Sequence, residues 1–454
     1  MLTLLLSLFL FAPLRAQADI LTLNQCVTLA LEENPEITSA NLEVEAANAK
    51  KSGARGAFGP RLRMEAGVQH WDTKIALPIL AGLGDACTNC TWSLDPNTQK
   101  PMIYTPSELR ARDTWSFSAT LAQPLASLWT IREAHVLSSL GVDISKLQQQ
   151  QSRRTLEFQV IETYFRLLQA KRMADVAIKS VEQISAQVKR AQTFFTRGIV
   201  ARNDVLRAEL GLAAAEQRRI ATQGTILLAK GRLATLIGRA PDSPIDIQET
   251  VGEPEMLPTL PAPQAEATAV EKRLELKEIA IRIDQAGTGV RLAQSKMLPQ
   301  VNAVANYTRG SKSLFQPSDA WFIGATASWD IWEGGSTYYG IEESKARYAQ
   351  ARSARRKAED MIRLDARSAH VGLTTAAEAL VVAKQAVAQA EENFRIEQSR
   401  YENSSNTSFD VLDAETQLTT ATGQYQSVIY DYLIAKSNLA RAMGETLLSQ
   451  KVAQ

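Results

Sequence analysis

Between Ile131 and Thr196 the chain has no proline and a single glycine, Gly141. A stretch of 66 residues without a breaker reads as one helix, and at about 1.5 Å per residue it would run roughly 100 Å. Its apolar residues recur every seven: Val160, Leu167, Ala174, Val181, Val188 and Phe195, beside Thr163, Ala170, Ala177, Ile184 and Ala191. That period is a coiled-coil seam, and a column made mostly of alanine lets neighbouring helices approach closely. The pattern returns in Ala366, Leu373, Leu380, Val387, Phe394 and Tyr401, beside Ala369, Ala376, Ala383 and Ala390. It continues in Val411, Leu418, Tyr425, Tyr432 and Leu439, beside Ala414, Ala421, Val428 and Ala435. These are packing residues, not ligands. A helix of this length exceeds what a soluble core needs and suits the spanning of a compartment.

The recurrence belongs to a duplication. "RNDVLRAELGL" (Arg202–Leu212) is echoed by "SFDVLDAETQL" (Ser408–Leu418), so that Asp204 lies over Asp410, 206 positions on. At the same offset "SATLAQPLASL" (Ser118–Leu128) lies over "GATASWDIWEG" (Gly324–Gly334). Nearer the N-terminus the offset is 239, which leaves a 33-residue insertion between Trp71 and Arg112 that reads as one long loop. Each copy has the order helix, strand, strand, very long helix, turn, long helix. The first copy is expected over residues 19–238, with strands near 61–72 and 113–124 and long helices near 131–197 and 203–238. The second is expected over 269–446, with strands near 300–308 and 320–331 and long helices near 336–402 and 409–444. Residues 239–268, rich in proline, read as an irregular linker, and 447–454 as a tail.

The short strands alternate. Leu62, Met64, Ala66 and Val68 share one face of the first, and Trp115, Phe117, Ala119 and Leu121 one face of the second. "VNAVANY" alternates more weakly, while "WFIGATASWDI" sets Trp321, Ile323, Ala325, Ala327 and Trp329 opposite Gly324, Thr326, Ser328 and Asp330. Segments of about ten residues with apolar-out, polar-in dyads and aromatic ends fit outer-membrane strands. Four strands cannot close a barrel, because about eight are the least that pack or span. Subunits must therefore share one, and three copies would supply twelve strands.

Export agrees with this. "MLTLLLSLFLFAPLRAQA" is a short apolar core ending in Ala16-Gln17-Ala18, a cleavage pattern that marks residues 1–18 as a signal peptide, although no Lys or Arg stands near the start. Beyond it no stretch reaches the ~18 apolar residues that a spanning helix needs, so a membrane crossing would have to be a β-barrel. Lys and Arg number 50 against 49 Asp and Glu, which gives no broad field for nucleic acid and no basic module to read it. Cys87 and Cys90 form "CTNC" in the insertion. In an exported chain this reads first as a loop disulfide, and second as a metal or redox site that lacks any further ligand pair. Cys26 reads as a small apolar helix residue. His70, His135 and His370 are scattered, no phosphate-binding loop or nucleophile elbow is present, and neither a catalytic constellation nor a cofactor site is expected.

Taken together, "LTLNQCVTLALEENPEI", the strand-to-helix passages "AQPLASL" and "SWDIWEGG", and the turns "RGIVARNDVLRAE" and "NSSNTSFDVLDAE" resemble the TolC-like outer-membrane efflux proteins over essentially the whole mature chain. The resemblance implies a mostly α-helical homotrimer with a small twelve-stranded membrane β-barrel and a coiled-coil tunnel into the periplasm. It also implies a periplasmic adaptor docking at the helical tips and an inner-membrane pump. The tip residues follow from it. Asp410 and Asp413, three apart at a helix start, would form carboxylate rings that favour cations; the plainer role for Asp410 is a helix cap or dipole partner. Asp204 matches the first-repeat tip aspartate, and Tyr401 a tyrosine that ties neighbouring helices together. Asn406 stands where relatives carry an arginine paired to the aspartate that matches Asp204; an Asn offers hydrogen bonds but no charge, so the closing lock is expected to be either weaker here or supplied by Arg202 or Arg197. Gly198 keeps the tip glycine that Ser404 replaces in the second copy, and Gly198, Ile199, Ser404 and Ser405 would be the adaptor-docking positions. The function expected is a passive outer-membrane exit duct of a tripartite efflux or secretion system. The rivals are a periplasmic adaptor with one long helical hairpin, which would carry soluble β domains, and a coiled-coil filament protein, which would have no strands.

Overall fold

The computed structural model describes residues 19–80, 91–94, 101–249, 260–311, 318–403 and 405–445. The expected signal peptide at 1–18, Cys87, Cys90, Ser404 and the expected tail at 447–454 lie outside them. The first repeat runs β1 (Asp19–Leu21), α1 (Leu23–Glu33), α2 (Pro35–Gly56), β2 (Arg61–His70), β3 (Ile75–Leu80), β4 (Thr91–Leu94), β5 (Pro101–Arg110), β6 (Asp113–Pro124), α3 (Leu128–Thr196) and α4 (Arg202–Leu236). Then come β7 (Ile245–Ile247), α5 (Ala262–Lys272), α6 (Leu274–Ser295), β8 (Gln300–Gly310), β9 (Asp319–Ser328), α7 (Ser336–Glu402) and α8 (Ser408–Ala442). The residues form two compact units. One comprises residues 1–45, 144–281 and 352–454, the other 46–143 and 282–351.

The helical unit holds the main core. Val160, Leu167 and Leu168 of α3 pack with Val27 and Ala30 of α1, Leu233 of α4, Leu373 of α7 and Leu433 of α8. Cys26 is a fully buried free thiol in this core. Desolvation pushes its pKa up to about 12, with Arg239 opposing, so it is an inert packing residue. The partner column from Thr163 to Ala191 is buried throughout. The column from Val160 to Phe195 is not: Val160 is fully buried, but Phe195 is 44% exposed. An α-helix drifts by about 20° per heptad from a strict seven-residue repeat, so five heptads carry a residue from the core to the flank.

Both copies end their last helix alike. Gly238 and Gly444 have left-handed φ values of +78° and +74°, the conformation that closes a helix at least expense in glycine. The Asn34 side chain donates to the Leu236 carbonyl at 2.8 Å, and at the equivalent place Arg273 donates to that of Ala442 at 3.3 Å. Asn34 and Arg273 also mark breaks that divide each expected first helix into two, α1–α2 and α5–α6.

The strand unit contains a four-stranded antiparallel sheet in the order β2-β6-β8-β9, with β2 and β9 at its edges. The register carries the apolar dyads across all four strands. Leu62, Leu121, Ala305 and Ile323 form one row, and Met64, Ala119, Tyr307 and Trp321 the next. On the other face Arg63, Thr120, Asn306 and Phe322 are aligned, with Asn306 donating to the Thr120 hydroxyl at 2.8 Å. Leu62, Met64, Val68, Trp321 and Ile323 are strongly exposed. The sheet thus presents a continuous apolar surface that a soluble protein would bury.

Three expectations need correction. The insertion is not one loop, because β3, β5 and β4 form a three-stranded sheet in which β3 and β5 extend the β2–β6 hairpin through a Trp71 N–H to Arg112 carbonyl bond of 2.7 Å. The linker is not irregular throughout either: β7 pairs in parallel with β1, and α5 begins at Ala262. Finally, α7 does contain an 18-residue window long and apolar enough to cross a membrane. Its Val371, Val381 and Val382 are exposed.

Candidate functional site

Two helical tips lie at one end of the helical unit. At the first, α3 ends at Thr196 and the chain turns through Gly198, with φ of +72°. The Ile199 N–H closes the turn on the Phe194 carbonyl at 2.9 Å. At the second the equivalent bond runs from the Ser405 N–H to the Arg400 carbonyl at 2.8 Å. The backbone closures therefore match.

The caps do not. Helix α4 starts after Ala201, which has no side-chain acceptor to offer. Helix α8 starts after Thr407, whose N–H and hydroxyl both donate to Asp410 Oδ2, at 2.9 and 2.8 Å. Those two bonds, backbone N–H first, hold the Asp410 carboxyl below the ordinary aspartate range. The plainer role anticipated for Asp410 is present. Asp413 is exposed and accepts from Gln417 at 2.7 Å. Gly198, Ile199 and Ser405 are exposed.

Tyr401 is 1% exposed and packs against Phe194, with ring centroids 5.4 Å apart. Its hydroxyl has no partner. Burial raises its pKa, the nearby Asp204 carboxylate raises it further, and Arg190 opposes. Asn406 is bonded to Glu397: its Nδ2 donates to the Glu397 carbonyl at 3.0 Å and to Glu397 Oε2 at 2.6 Å. Arg400 holds the same carboxylate at 3.2 Å. Among the described residues no ion pair joins Arg202 or Arg197 to Asp204. The structure thus gathers Asp204 and Tyr401, and leaves Arg202 exposed at the turn.

Sequence reasoning passed over Arg190, Gln187, Glu397 and Glu415, which supply most polar groups inside the tips. Glu415 was within reach, since it closes the repeated Asp-Val-Leu-x-Ala-Glu phrase and lies over Glu209.

The outer membrane efflux protein model matches residues 26–239 and again 267–445, one match for each copy. The outer membrane efflux protein BepC of Brucella suis is 22% identical over 297 residues, 64% of this chain and just under two thirds, 64%, of BepC. TolC of Vibrio cholerae is 21% identical over 432 residues, 93% of this chain and 90% of that relative. Among solved structures, the CmeC outer membrane channel of Campylobacter jejuni superposes with a TM-score of 0.74 at 16% identity, covering 93% of this chain and 85% of CmeC. The duplicated frame, the paired tips and these matches agree, and the chain belongs to the outer membrane efflux protein family.

Proposed function

We propose that three copies of this chain form the outer-membrane exit duct of a tripartite efflux or secretion system. The observation that carries the reading is the four-stranded sheet, with a continuous apolar face and with the outer edges of β2 and β9 left without a strand partner among the described residues. Unpaired edges and exposed apolar rows are liabilities that barrel closure removes. Three such sheets would supply twelve strands in the outer membrane, and the long helices of the same copies would wall a periplasmic tunnel. The duct performs no chemistry. A periplasmic adaptor docks around Gly198, Ile199, Ser404 and Ser405, and an inner-membrane pump supplies the energy. Asp410 and Asp413 form the constriction, while Asp204, Tyr401, Asn406 and Arg202 surround its gate.

Single-particle imaging of the chain extracted from outer membrane should give a three-fold particle with a short barrel and a helical extension; a monomer would reject the reading. In planar bilayers the pore should prefer cations, and Asp410→Asn with Asp413→Asn should remove most of that preference. An unchanged preference would reject the constriction assignment alone.

A further inference from the structure

The apolar face of the four-stranded sheet is interrupted by a cation. Strands β2, β6, β8 and β9 adjoin the long helices at Arg61, Pro124, Gln300 and Ser328, so His70, Asp113, Gly310 and Asp319 mark the far end of the sheet. Toward that end the apolar rows run from Leu62, Leu121, Ala305 and Ile323 through Met64, Ala119, Tyr307 and Trp321. The next row is Ala66, Phe117, Arg309 and Asp319. Arg309 is exposed and shares a face with the exposed Trp321 and Ile323. Among the described residues, no other arginine or lysine lies on that face of the four strands.

The aromatic residues fix its level. Trp321 and Trp329 are both exposed and stand eight residues apart. At about 3.3 Å per residue and a tilt of about 40° they are separated by roughly 20 Å along the barrel axis, close to the ~25 Å apolar band of outer-membrane barrels. Tryptophan and tyrosine girdle the margins of such a band. Trp321 and Tyr307 therefore suit the outer margin, and Arg309, one row further, the level of the head groups. Its obvious counter-ion is Asp319, directly across on β9, yet the two form no ion pair; Asp319 Oδ1 accepts from the Ser318 hydroxyl at 3.3 Å. Asp113 is engaged by His70 Nδ1 at 2.6 Å. Among the described residues no carboxylate holds the Arg309 guanidinium.

We propose that Arg309 is a docking site for the phosphate of an outer-leaflet lipid, whose acyl chains lie along Phe117, Tyr307 and Trp321. The site rests on the exit-duct reading, which sets this face in the bilayer. A guanidinium presents a planar fork of N–H donors that matches two phosphate oxygens, so the lipid is held by orientation as well as by charge. A cation at the band margin costs little to place, about 0–1 kcal/mol, where one at the midplane would cost about 2–4 kcal/mol. The rows below Arg309 are apolar and offer no second place for a phosphate, so each copy has one such site. The bond pins the outer margin of the barrel to the layer of lipid phosphates.

The test titrates the full chain, delipidated in mild detergent, with bis-phosphorylated lipid A and with the same lipid stripped of its phosphates, and counts bound lipid by native mass spectrometry. The wild type should hold one phosphorylated lipid per copy and bind the stripped lipid more weakly. Arg309→Gln should weaken binding of the phosphorylated lipid about tenfold, the worth of one charge-assisted hydrogen bond. Arg63→Gln, on the opposite face of β2, should change nothing, and Asp319→Asn should tighten binding by removing a repelling charge. All three side chains are exposed, so the variants should fold, and the comparison of the two lipids needs no variant. Equal affinity of the wild type for both lipids would overturn the site. So would an unchanged affinity in Arg309→Gln, an equal loss in Arg63→Gln, weaker binding in Asp319→Asn, or displacement of the lipid by an equal concentration of inorganic phosphate. A trimer that binds the lipid but passes no current in planar bilayers would reject the exit duct and keep the site; a conducting trimer indifferent to the phosphates would do the reverse.

Discussion

At the base of the first repeat Gly238 ends α4, and a Cβ placed there would meet the Glu33 carbonyl oxygen at 2.8 Å. At the base of the second Gly444 ends α8, where a Cβ would meet the Arg273 nitrogen and the Lys272 carbonyl carbon at 3.1 Å. The two bases use the same backbone device, because each must stop a helix against a neighbouring one inside the core. The tips have no such burden and have diverged. Thr407 and Asp410 form a cap, while Ala201 and Asp204 do not. Glu209 stays exposed and accepts from Gln192 at 3.4 Å, while its counterpart Glu415 is buried. Duplication preserved what packing demands and left the tips free to specialise: in the first the aspartate stands near Tyr401, in the second it secures the start of a helix.

Substitutions can break this comparison. Gly238→Ala combines a left-handed backbone with a clash against main chain and should destabilise the base by about 2–4 kcal/mol. Gly444→Ala, with more room, should cost about 2 kcal/mol. Thermal unfolding and hydrogen exchange at α4 and α8 would rank the two, and equal losses would deny that the closer approach matters. At the tips, Thr407→Ala should cost about 1 kcal/mol and speed exchange at the start of α8 only. Ala201→Thr should gain up to about 1 kcal/mol at α4 by giving Asp204 a capping partner. If exchange there is unaltered, the missing hydroxyl is not what separates the tips.

The smallest effect is that of pH. The folded pKa of Asp410 is depressed below the ordinary 3.8. Its contribution is therefore complete above that value and lost as pH falls through the lowered folded pKa. Exchange at the start of α8 should accelerate in that acid window, and Asp410→Asn should remove the dependence.

Much of the fold was legible in the sequence. Breaker-free heptads announced α3 and α7, and period-two alternation announced β2, β6, β8 and β9, because one face of each element must be apolar wherever it packs or meets lipid. The strands of the insertion were not legible. Pro78, Pro101 and Pro106 argue locally against strands, and only continuation of the β2–β6 hairpin supplies pairing partners. At the candidate site, Asp204 and Asp410 could be picked out from the repeated phrase, and Tyr401 from the family resemblance. That Asn406 binds Glu397 rather than Asp204 could not, since the choice depends on which side chains the turn brings within about 3 Å.

By itself the sequence determined the duplication, the long helices and the apolar face of the sheet, since periodicity and the absence of breakers act along a single chain. Only the tertiary structure decided which of two equivalent glutamates is buried and which aspartate is tied up as a cap. Those outcomes depend on contacts between α3, α7 and α8, whose residues lie hundreds of positions apart and meet only when the helices pack.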